Sequence, residues 1–124
     1  MEKYTRKELV DALKVVSSTI NNCEKAQLKF AECTSQHTLL KNRLKALYIS
    51  KSLIIDEDIV DKYTKEELME ALPPVASIIS KCEKAKLKFE EGTSHHTRLK
   101  NIINAMYISK SLITDEINKR ESKI

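Results

Sequence analysis

Three cysteines and three histidines are the side chains of this 124-residue chain best suited to nucleophilic or metal chemistry. Cys33 and His37 stand four apart, a spacing that on a helix puts a thiol and an imidazole on one face. Cys23 and Cys82 fill the same place in two copies of a repeat. A zinc site needs a fuller set: the chain has no CxxC or HExxH spacing, Cys33 becomes Gly92 in the second copy, and His95 is matched by Gln36 in the first. Cys23 and Cys82 fall on an apolar stripe, where a thiol behaves as a small hydrophobe. Cys23 and Cys33, about 15 Å apart along one helix at 1.5 Å per residue, are too distant to bridge, so free thiols are expected. His37 and His96 fall in the first turns of helices, with no Ser, Cys or carboxylate recurring beside them at a triad spacing. The acidic run Asp56, Glu57, Asp58 and Asp61 lacks the Gly and the terminal Glu of a calcium loop and reads as a solvated linker. A single Gly leaves nothing from which to build a phosphate-cradling loop. These residues predict no enzyme, no metal and no cofactor.

The basic residues are more suggestive. Lys25, Lys29, Lys41, Arg43 and Lys45 in the first half, and Lys81, Lys84, Lys86, Lys88, Arg98 and Lys100 in the second, flank a turn. The net charge is +4 and the pI about 8.9, just short of the value of roughly 9 at which a basic domain points to nucleic acid. Glu24, Glu32, Glu83, Glu90 and Glu91 dilute the field, and no recognition-helix pattern or run of stacking aromatics accompanies it. Weak nucleic-acid binding through Lys41, Arg43, Lys45, Lys84, Lys86, Lys88, Arg98 and Lys100 is therefore the alternative reading of function.

The elements that position these residues come in duplicate. Offsetting the chain by 59 residues aligns 3–57 with 62–116, with 35 of 55 positions identical and "YISKSLI" present in both copies. Each copy opens on a capping box, Thr5 with Glu8 and Thr64 with Glu67. Leu9, Leu13, Val16, Ile20, Cys23 and Phe30 then follow four- and three-residue steps, repeated by Leu68, Leu72, Val75, Ile79, Cys82 and Phe89. The first helix of each copy is expected to end near "ECTS" or "EGTS". Gly92 suits a left-handed position there, and Ser35 or Ser94 suits the cap of the next helix. A tight turn then makes the second helix an antiparallel neighbour of the first.

A hairpin of about 60 residues cannot cover its own apolar stripes, so two fused copies are expected to clasp each other. The predicted fold is all-α: an antiparallel four-helix bundle with approximate two-fold symmetry, forming one domain over residues 1–124. Pro73 and Pro74 replace Lys14 and Val15 two turns into the third helix and predict a kink or short break. The second helices carry more apolar residues than one stripe needs, which implies either contact with two neighbours or an exposed patch. Tyr48, Ile49, Leu53, Tyr107, Ile108 and Leu112 are the candidate protein-interaction residues, with the two tyrosines as anchors.

The longest apolar runs are only three or four residues, and "MEKYTRKELV" has no signal core, so a cytoplasmic protein with no membrane partner is expected. With "KYT" openings, "CEKA" segments and the turns "TSQHTLLKN" and "TSHHTRLKN", each half resembles short bacterial proteins of unassigned function. That resemblance covers both halves and implies a small helical hairpin, usually single and here doubled; it supplies no functional residue. The expected function is a non-enzymatic protein-interaction or regulatory module, an inhibitor or adaptor from a mobile element or a self-associating bundle. No small-molecule substrate is evident.

Overall fold

The computed structural model describes residues 3–122. Four helices occupy them: α1 (Arg6–Gln27), α2 (Ser35–Ile54), α3 (Lys65–Lys86) and α4 (Ser94–Glu121), with no strand among the described residues. The all-α four-helix fold is the one expected.

Local chemistry fixes the helix starts. Thr5 Oγ1 accepts from the Glu8 amide at 3.1 Å while Glu8 Oε1 accepts from the Thr5 amide at 2.9 Å. Thr64 and Glu67 repeat both bonds at 3.1 and 2.8 Å, so each capping box satisfies two orphan amides. The caps of α2 and α4 are Thr34 and Thr93 rather than Ser35 and Ser94. Each threonine hydroxyl accepts from the amide three residues ahead at 3.2 Å and donates to the carbonyl three behind at 2.8 Å. The serines sit one residue too late for either bond.

The first helix of each copy ends earlier than "ECTS" and "EGTS". The Lys29 and Phe30 amides donate three residues back, to Ala26 and Gln27, at 3.1 and 3.2 Å, and Lys88 and Phe89 do likewise, tightening the last turn into a stop. Seven-residue connections, 28–34 and 87–93, replace the expected tight turn. Phe30 and Phe89 therefore lie beyond the helices and are exposed, not part of the buried stripe. In these connections Gly92 takes φ +87°, the left-handed conformation its lack of a Cβ allows, and Cys33 takes φ +73° at the equivalent position.

The prolines do not break α3, which runs from Lys65 to Lys86 through Pro73 and Pro74. Each proline deprives the carbonyl four residues back of its donor, and those carbonyls belong to Met69 and Glu70, both exposed residues on the solvent side of the helix.

Packing makes α2 and α4 the central pair. Each touches the other and both remaining helices, whereas α1 and α3 have no Cα atoms within 8 Å of each other. The excess of apolar residues on the second helices is thus explained by three neighbours, one more than expected. Leu47, Ile49, Met106 and Ile113 from the central pair are fully buried with Val16, Leu68 and Val75. Small residues accompany them: Ala46, Ser50, Ala105 and Ser109 are also fully buried. The Ser50 and Ser109 hydroxyls donate to the carbonyls of Ala46 and Ala105 at 2.8 and 2.9 Å, so neither hydroxyl is stranded.

The copies diverge after residue 57. Asp56, at φ +61°, ends α2 as its amide and that of Glu57 donate back to Leu53 and Ser52 at 3.1 and 2.9 Å. In the second copy α4 continues to Glu121 and buries Ile117. Arg120 then clamps the linker, its guanidinium donating to the carbonyls of Tyr63 and Ile59 at 2.6 and 3.0 Å and to Glu116 at 3.0 Å.

The strain at Cys33 predicts that Cys33→Gly stabilises the protein by about 1 kcal/mol in urea denaturation, and that Gly92→Ala, whose Cβ would meet nothing within 4 Å, destabilises it by a similar amount through φ alone.

Candidate functional site

The candidate interaction residues do not form one surface. Ile49 faces the core with no exposure, because it belongs to the stripe that α2 turns toward the bundle interior. Leu53, Ile108 and Leu112 are partly buried and pack against the core. Tyr48 and Tyr107 are exposed. Tyr48 donates its phenol hydrogen to Glu24 Oε2 at 2.9 Å, and that bond, with some burial, raises the phenol pKa.

The candidate basic set divides as well. Lys41, Lys84, Lys88, Arg98 and Lys100 are exposed and Lys86 half-buried. Lys45 is taken up in an ion pair with Glu67 at 2.6 Å. Arg43 turns inward: its Nη2 reaches Ser77 on α3 at 3.4 Å, and its Nε is buried with no hydrogen-bond partner among the described residues. Ile102 occupies the equivalent place in the second copy. Burial pushes the Cys23 and Cys82 thiols up, and the Arg43 charge opposes the shift at both. Both thiols are free, and α1 and α3 stand too far apart for these two to bridge. Cys33 is exposed. Among the described residues no group of three His, Cys, Asp or Glu is placed to hold a metal ion. His37 and His96 serve their helix starts through their backbone amides, and His95 stacks on Phe89 at 4.9 Å between ring centroids.

What the residue-by-residue reading missed is a groove. Between α1 and α4 lies a depression of about 680 Å³, floored by Ala12, Val15, Ala105 and Ile108 and rimmed by Glu8, Asp11, Asn101 and Asn104, with Tyr107 at its wall. It shares Lys14, Val15 and Asn101 with a second depression of about 470 Å³ that continues past Ser18 and Asn22 to Thr97 and Arg98. The two form one channel along the helices, acidic at the Glu8 end and basic at the Arg98 end.

The equivalent groove between α2 and α3 is smaller, about 470 Å³, and differs at the residues that matter. Pro73 and Pro74 stand where Lys14 and Val15 stand, and the Lys45–Glu67 ion pair spans it. Glu8 is the counterpart of Glu67, but Asn104 replaces Lys45 and offers no cation to close the α1/α4 side. The sequence carried this signal in the substitutions between copies, Lys45 against Asn104 and Lys14–Val15 against Pro73–Pro74. It became legible once these positions were seen to face one another.

The ion pair marks its partners. The Lys45 ammonium, with the Thr64 amide adding to it, holds the Glu67 carboxyl below its ordinary value, and Glu67 raises Lys45. No family model, curated protein or solved structure matches this chain.

Two outcomes are expected. Arg43→Ile, copying the second half, stabilises the fold by about 1 kcal/mol in chemical denaturation, because it removes a buried unpaired donor. Lys45→Asn destabilises the protein at neutral pH, and the difference vanishes as acid protonates Glu67. A lowered carboxyl contributes stability above its unfolded pKa and loses it as pH falls through its folded one, so urea midpoints of the two proteins converge once acid has protonated Glu67 in the folded state.

Proposed function

We propose that this chain is a non-enzymatic protein-interaction module whose α1/α4 groove receives an amphipathic helical segment of a partner protein, as a regulator or adaptor would. The observation that carries this reading is the inequality of two grooves built from one duplicated unit: the smaller is bridged by an ion pair and walled by prolines, and the larger has neither over its apolar floor. Apolar floor and polar rim are the features by which a helix-in-groove site binds and orients its ligand. The acidic and basic ends select a segment that is basic where it meets Glu8 and Asp11 and acidic where it meets Arg98.

This reading treats the bundle as two antiparallel hairpins related by an approximate two-fold axis. Residues lining the groove support it: positions 8–12 of α1 accompany 104–108 of α4, and positions 18–22 accompany 94–98, the pairing expected of antiparallel neighbours. Nucleic-acid binding is the weaker reading, since Arg43 and Lys45 are already engaged within the fold.

The test copies the ion-pair bridge of one groove onto the other. Asn104→Lys places a cation opposite Glu8, as Lys45 lies opposite Glu67, while Lys45→Asn serves as the control on the other side. In quantitative affinity capture from cell extract, a partner held by the wild type is expected to fall at least tenfold with Asn104→Lys and to remain with Lys45→Asn, helicity being equal in all three. A partner set identical across the three proteins would sink the proposal.

A further inference from the structure

The end of the bundle that carries the two helix connections concentrates both charge and exposed apolar surface. Residues 22–43 and 81–102 hold ten Lys and Arg against five Glu, while the rest of the chain holds twelve basic against thirteen acidic residues. Both connections lie at this end: Asn22 of α1 lines one groove with Ser94 and Thr97 of α4, and Leu39 of α2 lines another with Ser77 of α3. Each connection projects a leucine and a phenylalanine. Leu28 is 88% exposed and Leu87 85%, with Phe30 and Phe89 at 40% and 39%. Lysines alternate with them in "KAQLKF" and "KAKLKF".

We propose that this end docks on an anionic lipid bilayer, with Leu28 and Leu87 entering the headgroup boundary and the surrounding exposed lysines meeting the lipid phosphates. Apolar side chains at a surface flanked by cations are what interfacial attachment uses: hydrophobic burial holds the tips, and attraction to acidic lipid adds to it. No described helix is long and apolar enough to cross a membrane, so attachment is confined to one leaflet's surface. A polyanion without an apolar phase would satisfy the lysines but leave the two most exposed leucines unused, and the Phe89 ring is already stacked on His95. For a protein partner the tips present little area: four side chains, two of them more than half covered, fall short of the roughly 800 Å² per partner of a stable interface. Two like tips at one end suit a broad surface that both can enter at once. Neither leucine lines the α1/α4 groove, so this proposal stands or falls apart from the one made for it.

The full chain is tested by flotation with phosphatidylcholine vesicles and with vesicles containing about 30% phosphatidylglycerol. Partition onto the anionic vesicles is expected to exceed that onto neutral ones at least tenfold and to weaken as salt is raised. Leu28→Ser with Leu87→Ser, changes at exposed positions outside the helices, should lower it at least tenfold with the circular dichroism spectrum unchanged. The chain has no tryptophan, so Leu28→Trp supplies a single reporter whose emission should shift to the blue on anionic vesicles alone. Absence of partition by the wild type overturns the proposal. So does partition indifferent to the leucines, or binding of duplex or single-stranded nucleic acid, at the same salt, that survives their loss while vesicles are ignored. A dimer abolished by the double variant in a protein that never floats would assign the tips to a second copy instead.

Discussion

The structure depends on apolar surface that neither hairpin can bury alone. Stripes on α1 and α3 are covered by their own hairpin partners on one side only, and it is the contact of α2 with α4, flanked by α1 with α4 and α2 with α3, that closes the interior. Leu47 and Ile49 from one copy share the core with Met106 and Ile113 from the other. At 25 cal/mol or so per Å² of apolar area removed from water, a few side chains of this size outweigh every surface ion pair in the molecule. Fusing the copies removes the translational entropy that two separate hairpins would lose on meeting, so the closed interior is reached at any protein concentration.

That constraint explains why so much of the architecture was legible. Threonine three residues ahead of glutamate identifies a helix start because the two groups satisfy each other's amides, and both instances did so. A stripe stepped by three and four residues identifies a buried face, and Val16, Ile20, Leu68, Val75 and Ile79 are buried as the stripe required. Boundaries were less legible. "ECTS" and "EGTS" looked like helix ends because they hold the residue types of a C-cap, yet α1 and α3 stop five residues before these motifs begin, and a longer loop uses the glycine position before the next helix. Of the kink or short break expected at Pro73 and Pro74 the break does not occur, because the cost of proline depends on whether the orphaned carbonyls can reach water, a property of the face and not of the residue.

The site was less legible still, for a different reason. A groove belongs to two helices at once, and neither α1 nor α4 displays it alone. The relevant substitutions, Asn104 for Lys45 and Lys14–Val15 for Pro73–Pro74, are unremarkable within their own helices. Only when Lys45 is seen to reach Glu67 does the missing cation opposite Glu8 acquire meaning. Leu28 and Leu87 were overlooked because they fall off the stripe, and an apolar residue off the stripe is the one that burial within the chain cannot explain.

Burial is also unevenly distributed along the bundle, and the distribution bears on where function can reside. At the linker end Ile59, Ile113 and Ile117 are buried and Arg120 ties α4 to two linker carbonyls, with its carboxylate partner Glu116 slightly more covered than itself. Toward the connections burial thins: residues 28–33 and 87–95 are exposed throughout. Opening free energies follow buried apolar contact, so the linker end sets the global stability and the connection end opens at lower cost. Three anomalies lie at that less stable end, although Asp56 takes the left-handed conformation at the linker end: a non-glycine residue in the left-handed region at Cys33, an unpaired buried donor at Arg43, and the two most exposed leucines. Each is unfavourable to folding, and none is demanded by the core. A fold held firmly at one end can carry such residues at the other, and their presence there is what a surface kept for binding, at a cost in stability, would look like.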